Sequence, residues 1–427
     1  MNLDNDVDDD VTLDSAPLVE RVAALDIGKA EICCCVRVPA GKGGREQQVR
    51  TFSTMTRDLL RLGDWLVAQG VTVVVMEATS DYWRPPFYLL EDRIEQVWLV
   101  NAADVKHLPG RPKTDTLDAI WLCKLAERGM LRASFVPPPA TRALRDLTRY
   151  RAKLATDAAS EKNRVEKLLE SALIKVSVVA SDIFGVSGRA MLHALIEGER
   201  DPHRLADLAR GRLRKKTPAL VEALTGRFTD HHAWMLTKML ARIDQIDADI
   251  ADLDTRIEDH VAPFAPAMAA LDDIPGISPV TAAAILAEIG TDMTRFPTAG
   301  HLTSWAGLTP VIKESAGRRR AKARTRRGDT YLARALGQAV NGLRRGNSFL
   351  AHRYRRLARR IGKLRAIVAV SRSLLTIIWH LLTDPTQSYT DLGADYYDRH
   401  IDTTRRTQRH VRDLQALGYR VTLEPVA

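Results

Sequence analysis

The sequence predicts an α/β domain with a mixed sheet, followed by a mostly helical remainder of the chain. Three strand patterns come first, at residues 21–28, 30–38 and 47–54, and helices and strands then alternate. Two later stretches, 140–180 and 236–261, are charged, heptad-like and free of Pro and Gly, which is typical of long helices that pack as a coiled coil. The length of 427 residues and a hydrophobic share of 45% leave room for two or three domains with sizeable cores.

The elements of the first domain follow from their local patterns. Apolar residues at helical spacing predict a helix over 58–69, and the β-branched run 71–76 predicts a buried strand that Glu77 follows. A second helix is expected over 88–93 and a further strand over 96–100. Thr114 is a suitable N-cap for a helix that runs to about residue 128.

Composition changes along the chain predict five segments. An acidic disordered tail precedes the α/β domain, three consecutive prolines at 137–139 end that domain, and Pro263 and Pro266 begin a third, helical unit. The predicted segments are the tail 1–20, the α/β domain 21–139, the helical coiled-coil linker 140–262, the helical C-terminal domain 263–383 and a polar tail 384–427.

Charge and cysteine usage limit the class of protein. The formal net charge is +10 although residues 1–20 are strongly acidic, so a polyanionic partner is expected. Cys33, Cys34 and Cys35 alternate faces of a strand and cannot share one zinc ion, and with Cys123 they are expected to be buried thiols. The acidic N-terminus and the interruption of the most apolar run by Arg372 predict a soluble, cytoplasmic protein without a membrane partner.

Four acids of the first domain are candidates for a metal site. Asp26 and Glu77 end apolar strands, while Asp115 and Asp118 lie three residues apart at the start of a helix and so share one face. Carboxylates at such positions suit Mg²⁺ or Mn²⁺, and a pair of these ions can clamp the two reacting oxygens of a phosphodiester. For any one acid alone, a solvated strand end or a helix cap is the simpler interpretation.

The third unit contains features that suit nucleic acid. Residues 271–277 followed by 281–289 resemble a helix-hairpin-helix, in which Gly276 would free backbone N–H groups to hold a phosphate; an ordinary helical turn is the alternative. A dense basic run comes later and is interpreted as a phosphate clamp, the alternative being a solvated face. Its basic residues are Arg318, Arg319, Arg320, Lys322, Arg324, Arg326 and Arg327.

A further basic stretch, 353–365, wraps more than one face of its predicted helix. Two nucleic-acid backbones and simple solvation both fit that pattern. Tyr354 and Trp379 could stack on bases, but core packing is the favoured interpretation for both.

The motifs of the first domain resemble one family. Residues Leu25-Asp26-Ile27-Gly28, Met76-Glu77-Ala78-Thr79 and the string from Arg111 to Ala119 are similar to the DEDD domain of insertion-sequence transposases. These transposases have a RuvC-like, RNase H-type N-terminal domain and are related to the Piv DNA invertases. The resemblance implies that Asp26, Glu77, Asp115 and Asp118 bind the metal, and Lys113 in the same string is expected to contact nucleic acid.

The C-terminal unit is similar to the second transposase domain of the same family, over about residues 267–345. There a serine ahead of a glycine and a basic run is the proposed nucleophile, and Ser315 matches it. A role for Ser315 in capping or phosphate contact is the alternative, and Ser304 is a second candidate nucleophile. The family often has Asn after the glycine and Arg after the leucine, where this chain has Asp329 and Ala333.

The resemblance implies a transposase that cuts and rejoins donor and target DNA under the guidance of a noncoding bridge RNA, as a homo-oligomer (a dimer or a tetramer). Three other functions remain open from the residues. They are a Holliday-junction-type nuclease that uses the same carboxylates with water, a non-catalytic helix-hairpin-helix binding protein and an actin-like sugar kinase. The kinase would need a second phosphate loop, for which residues 391–393 are the only other match.

Overall fold

The structure is a computed structural model in which the chain forms two compact units, Met1–Val136 and Pro137–Ala427. The residues it describes are 19–40, 44–78, 80–101, 114–311, 314–315, 318–319, 324–325, 328–399 and 403–424. The predicted disorder of the acidic tail therefore falls almost entirely outside the described residues.

Within its described residues, the first unit contains one mixed sheet and three helices. In chain order they are β1 (Val22–Ile27), β2 (Glu31–Pro39), β3 (Arg45–Ser53), α1 (Thr56–Ala68), β4 (Val73–Glu77), α2 (Arg84–Leu90), β5 (Gln96–Val100) and α3 (Asp115–Glu127). The strand order is β3-β2-β1-β4-β5, with β1, β2 and β3 antiparallel and β1, β4 and β5 parallel. The predicted α/β layer with a mixed sheet is confirmed.

Side-chain alternation on the central strands creates two cores, one on each face of the sheet. Leu25 and Cys34 pack on one face with α1 and α2, whereas Cys33 and Cys35 pack on the other with α3. All four cysteines are buried free thiols. Burial, with the neighbouring cysteines as a smaller cause, raises the pKa of Cys34 well above its usual value.

The second unit is mostly helical, as predicted. Its helices are α4 (Pro139–Ser171), α5 (Val176–Val179), α6 (Val186–Ile196), α7 (Pro202–Asp207), α8 (Thr217–Leu224), α9 (Asp230–Val261), α10 (Ala265–Asp272), α11 (Pro279–Ile289), α12 (Ala299–Trp305), α13 (Thr330–Leu343), α14 (Phe349–Ile361), α15 (Lys363–Thr383), α16 (Tyr396–Arg399) and α17 (Thr403–Ala416). Short 3-10 helices lie at Gly211–Lys216, Ala262–Phe264 and Met293–Arg295.

The two long helices α4 and α9 pack against each other within one chain and run antiparallel. Leu144 near the start of α4 packs with Ile257 near the end of α9, and Leu154 packs with Ile246. The helix expected to reach residue 180 ends at Ser171, because Leu173 adopts a φ of 61° that breaks the helical path.

The described part of the C-terminal unit also contains four two-residue strands that helical periodicity did not predict. β6 (Pro310–Val311) pairs with β9 (Arg324–Thr325), and β7 (Glu314–Ser315) pairs with β8 (Arg318–Arg319), all antiparallel. We call these four strands together the serine ribbon (Pro310–Val311, Glu314–Ser315, Arg318–Arg319 and Arg324–Thr325). Its side chains at 311–324 are not described.

Helix α15 is, within the described residues, the one helix long and apolar enough to cross a membrane. The helix is longer than the apolar run around Arg372 in the sequence, because Lys363 and the residues after it extend its N-terminal end. Every three or four residues it presents a side chain to the core of the unit, including Val370, Leu374 and Ile378. The cytoplasmic location stays a prediction.

Candidate active site and nucleic-acid interface

Two of the predicted acids end neighbouring parallel strands of the sheet. Asp26 lies near the end of β1, and Glu77 is the last residue of β4. The register pairs Leu25 with Met76, and it therefore brings Asp26 beside Glu77 on strands about 4.8 Å apart. Both acids are half-buried. The structure brings these two predicted residues together.

Asp26 and Glu77 also share a face of the sheet. Val22 and Ala24 of β1 belong to the same core cluster as Val75 of β4. Because side chains alternate with a period of two, Asp26 and Glu77 continue that face. Helix α3 covers it, so the acids lie on the side of the sheet where α3 packs.

Helix α3 supplies the other two acids. Thr114 is its N-cap, and the Thr114 hydroxyl accepts a hydrogen bond from the backbone N–H of Leu117 at 3.3 Å, as the sequence predicted. Asp115 and Asp118 occupy the first turn, where carboxylates also interact favourably with the helix dipole. Asp115 is exposed and Asp118 half-buried.

The thiol of Cys33 lies between the two groups of acids. Cys33 pairs with Asp26 across β1 and β2, and its Sγ lies 3.8 Å from Oγ1 of Thr116 on α3. Burial raises the pKa of Cys33, the contact with Thr116 opposes this, and Asp26 and Asp115 raise it further. Both carboxylates are therefore close enough to act electrostatically on the same side chain.

The oxygen donors of the four acids suit a hard cation, but the described acids are not grouped around a common metal position. All four candidate ligands are carboxylates, the oxygen donors that Mg²⁺ and Mn²⁺ prefer. Within the described residues, no three acidic, histidine or cysteine side chains are grouped closely enough to hold a metal ion. Asp26, Glu77 and Asp118 each make another polar or electrostatic contact. One shared metal site stays a prediction, and Lys113 lies outside the described residues.

Ser315 is the last residue of β7 on the serine ribbon. The register pairs Ser315 with Arg318 and Glu314 with Arg319, so a basic residue lies opposite the candidate nucleophile in the strand pairing. The alternative candidate, Ser304, is exposed on α12. The described pairing that contains Ser315 is two residues long, which is short for a strand.

Both ends of the serine ribbon are fixed at its base. A Cβ at Gly328 would lie 2.1 Å from the carbonyl oxygen of Ala306, so the returning chain passes directly against the turn after α12. Asp329 then caps α13, accepting hydrogen bonds from the N–H groups of Tyr331 and Leu332 at 2.8 and 2.9 Å. The base of the ribbon therefore has a defined position relative to α12 and α13.

An ion network ties this base to α4. Arg149 donates to both carboxylate oxygens of Glu288 at 2.8 Å and to Asp329 at 3.2 Å. Arg145 donates to the backbone carbonyl of Glu288 at 2.7 Å.

Burial lowers the pKa of Arg149, but Glu288 and Asp329 more than offset this and raise the pKa overall. Burial raises the pKa of Glu288, and the two arginines oppose that shift. Nothing in the sequence pattern signalled Arg149 or Glu288, which are 139 residues apart.

Gly276 lies in the short turn between α10 and α11, where the helix-hairpin-helix was predicted. Its φ of 90° is one that side chains rarely adopt, and a Cβ there would lie 2.4 Å from the carbonyl oxygen of Ala339 on α13. Ser278 caps α11. The glycine therefore lets the hairpin pack closely on α13, and its phosphate contact stays a prediction.

The predicted basic run is only partly within the described residues. Arg318 and Arg319 lie on β8 and Arg324 on β9, so they line the serine ribbon. Arg320, Lys322, Arg326 and Arg327 lie outside the described residues. Tyr354 is buried, and the indole N–H of Trp379 donates to the carbonyl oxygen of Phe296 at 2.8 Å, so both belong to the core, as favoured.

Two family models match the chain over the regions that carry these features. One, described as a transposase and named for a DEDD transposase of IS110, covers residues 23–174. The other, described as the transposase IS116/IS110/IS902 family, covers residues 268–355. The chain belongs to the IS110-family DEDD transposases.

Relatives from several bacteria support the family. The chain is 25% identical over 395 residues to the insertion element IS110 uncharacterized 43.6 kDa protein of Streptomyces coelicolor, which covers 85% of this chain and 94% of that protein. It is 28% identical over 267 residues to a "Probable family 20 transposase" of Pseudomonas aeruginosa, covering 62% and 69%. It is 29% identical over 153 residues to the insertion element IS900 uncharacterized 42 kDa protein of Mycobacterium paratuberculosis, covering 36% and 38%.

The two matched regions of this IS110-family chain contain all the candidate residues. The first includes the four acids and all of α4, and the second includes the hairpin at Gly276, the serine ribbon and the first half of α14. The helices α5 to α9 lie between the two matches. The family thus supports an enzyme that acts on DNA in transposition, while its chemistry in this chain has to be argued from the residues.

Proposed function

We propose that this transposase cuts and rejoins DNA strands through a phosphoserine intermediate formed at Ser315, with Asp26, Glu77, Asp115 and Asp118 holding divalent metal. The observation that carries the proposal is the side-by-side placement of Asp26 and Glu77 on one face of adjacent strands, under the helix that bears the other two acids. The strand order β3-β2-β1-β4-β5 supports an RNase H-like domain as the frame of that site.

The proposed chemistry is a pair of transesterifications. Oγ of Ser315 attacks the phosphorus of the scissile phosphodiester, a serine–phosphate ester forms, and the bond to one deoxyribose oxygen breaks. The serine proton passes to a carboxylate of the acidic site, and the departing oxygen takes up a proton as a hydroxyl. A second DNA hydroxyl then attacks the phosphoserine, so the strand is rejoined and Ser315 is regenerated without an external energy source.

The carboxylates would hold Mg²⁺ or Mn²⁺, which would stabilise charge on the phosphate oxygens. Asp26 and Glu77 are fixed by the sheet, while Asp115 and Asp118 approach on the first turn of α3. Arg318, Arg319 and Arg324 would neutralise phosphates beside the nucleophile. Donor and target DNA are the substrates of this proposal, and guidance by a bridge RNA and a dimeric or tetrameric assembly are added on the family resemblance.

Trapping the intermediate tests the serine chemistry. Wild-type protein incubated with a suicide substrate, nicked so that the cleaved end diffuses away, should become covalently attached to DNA. The attachment should be lost in Ser315→Ala, while Ser304→Ala serves as the matched control and should retain it. Cleavage without any covalent species, or unaltered cleavage by Ser315→Ala, would contradict the proposal and favour a nuclease that uses water at the same carboxylates.

A further inference from the structure

A deep groove lies beside the base of the serine ribbon, in the second unit. Its volume is about 1150 Å³, which exceeds that of most single small-molecule pockets, at roughly 300–1,000 Å³. Helices α14 and α15 form two walls, the segment 387–392 forms a third, and Pro310 and Thr325, which pair at the base of the ribbon, close one end. The groove therefore adjoins the element that carries Ser315.

The floor of the groove is apolar and its rim is cationic. The half-buried side chains of α15 that line the groove, Val368, Ala369 and Ile377, are what we call its floor. Arg365 and Arg372 on the same helix are exposed at the rim. Among the described residues that line the groove none is acidic. An apolar floor beside exposed guanidinium groups suits a ligand with flat apolar faces and negative charges between them.

The walls are held in place by hydrogen bonds. Arg353 donates to Oγ of Ser373 at 3.0 Å and to the hydroxyl of Tyr397 at 2.9 Å. Asp391 accepts from the backbone N–H of Phe349 at 2.9 Å and of Gly393 at 2.7 Å, which fastens the wall segment to the start of α14. The groove is therefore formed before any ligand binds.

We infer that this groove binds a single-stranded segment of nucleic acid, with bases on the floor and phosphates at Arg365 and Arg372. The inference rests on the proposed function, which makes nucleic acid the ligand of this unit. Stacking of bases on aromatic side chains in a cationic groove is how proteins hold unpaired strands without reading their sequence, and the lining here includes the aromatic residues Phe349 and Tyr389. Ser373, Thr376, Gln387 and Tyr389 add polar groups that can reach base edges.

Charge and shape favour nucleic acid over other occupants. The amphipathic helix α17 of a second copy is itself rich in arginine, so the cationic rim would repel it. A lipid surface would meet a flat or convex apolar face, whereas the floor here is recessed between two helices and a third wall. The ribbon residue Ser315 lies five residues from Pro310, which spans at most about 17 Å, so a strand in the groove leads toward the candidate nucleophile.

The test measures binding of full-length protein to single strands of about 12 nucleotides, intact or with abasic sites at the centre. Ala369→Trp fills the floor without a change in charge, and Val178→Trp, at an exposed position outside the groove, is its control. Arg372→Gln removes a rim charge, and Arg359→Gln, exposed on α14 and outside the groove lining, is the control. Circular dichroism confirms folding of each variant.

The groove predicts that abasic sites weaken binding to wild type about tenfold, and that Ala369→Trp weakens binding to the intact strand by the same factor. Abasic sites should then have no further effect on Ala369→Trp. Arg372→Gln should weaken binding more than Arg359→Gln. If Ala369→Trp weakens the binding of DNA strands, the groove is assigned to DNA. If it weakens the binding of RNA strands only, the groove is assigned to RNA. If Ala369→Trp retains the full wild-type discrimination, the inference is wrong.

Two further results would overturn the inference in favour of another occupant. Ala369→Trp that leaves strand binding intact but dissociates the oligomer in light scattering would assign the groove to a second copy. Loss of cosedimentation with phosphatidylserine vesicles, again with intact strand binding, would assign it to a membrane. A failure of the groove proposal can be distinguished from a failure of the serine proposal. The suicide substrate measures the reaction at Ser315, whereas the single strands measure binding in the groove.

Discussion

The two candidate sites of this transposase are built on different kinds of support. Asp26 and Glu77 end the central strands of a five-stranded sheet with a packed core on each face. Ser315 lies on a ribbon whose pairings are two residues long. The acids are therefore positioned by a core, whereas the serine is positioned by contacts at the base of the ribbon.

Because of this difference, we expect substitutions at the two sites to abolish activity in different ways. A change at the sheet end alters the ligand itself, because the strands hold the backbone in place whatever the side chain. On the ribbon, position depends on a few remote contacts: Gly328 against Ala306, and the network of Arg149, Glu288 and Asp329. We expect side-chain chemistry to dominate in the first unit and positioning in the second.

The largest effect is expected from Asp26→Asn, which retains the shape of the side chain but removes the charge that we propose binds metal. Strand cleavage should fall by about a thousandfold or more, because the ion's stabilisation of phosphate charge is worth several kcal/mol. Cleavage of the suicide substrate measures it. Asp64→Asn, on the exposed side of α1, is the matched control and should leave cleavage unchanged.

The same variant tests whether a site is shared between protomers. If Ser315 of one protomer completes the acids of another in a dimer, mixing Asp26→Asn with Ser315→Ala should restore about a quarter of the wild-type sites at equal concentrations. No rescue at any ratio would place the serine and the acids of each site in one chain.

Much of the α/β fold was predictable, because each of its signals is local. Alternation, the Val-rich run and the Thr114 cap each occupy a few residues, and the structure confirms the strands and the capped helix. The positions of Asp26 and Glu77 at neighbouring strand ends followed from the same local patterns. The packing of α3 close to these two acids could not be predicted, because it follows from the order of the strands in the sheet and no local pattern specifies that order.

The support of Ser315 was not predictable by the same reasoning. Two-residue strands are too short for alternation to be seen, so the serine ribbon was interpreted as a basic run beside a helix. The contacts at its base join residues far apart in sequence, such as Arg149 and Asp329, which are 180 residues apart. Asp329 was noticed as a departure from the family, but its partner could be found only from the structure.

Gly328→Ala should damage the ribbon without altering any reacting group. The added Cβ would lie 2.1 Å from the carbonyl oxygen of Ala306, so the returning chain must move. A shift of about 1 Å at the nucleophile is enough to slow cleavage about a hundredfold. Gly337→Ala is the control, because its Cβ meets open space and a helix interior favours Ala over Gly by up to about 1 kcal/mol. Equal cleavage by both variants would show that the base does not position Ser315.

Glu288→Ala should lower the stability of the second unit. It leaves the guanidinium groups of Arg145 and Arg149 without their buried partner, and loss of one member of such a pair costs about 3–5 kcal/mol. Hydrogen exchange of peptides from α11 and α13 measures the change in that unit alone. Asp157→Ala, which breaks an exposed pair with Lys153, should cost about 0.5 kcal/mol. Similar losses in both variants would show that the network is not a structural anchor.

The smallest effect is expected from Asp329→Asn. This substitution retains the N-cap of α13 but removes the charge that pairs with Arg149, so it distinguishes the two roles of Asp329. Asn is as good an N-cap as Asp, so the hydrogen bonds from Tyr331 and Leu332 should persist, and Arg149 retains Glu288 as its partner. We expect a loss below about 1 kcal/mol, mainly from the weaker interaction with the helix dipole.

Asp329→Ala provides the matched comparison, because it removes the cap as well and should cost about 1 kcal/mol more. Hydrogen exchange at the first turn of α13, together with suicide-substrate cleavage, distinguishes the two variants. If Asn is tolerated and Ala is not, the departure from the family residue at this position preserves its capping role, and the serine ribbon depends on the cap more than on the charge. If Asn is as damaging as Ala, the ion pair with Arg149 is the contact that holds the ribbon, and the charge at Asp329 is a feature by which this chain positions Ser315.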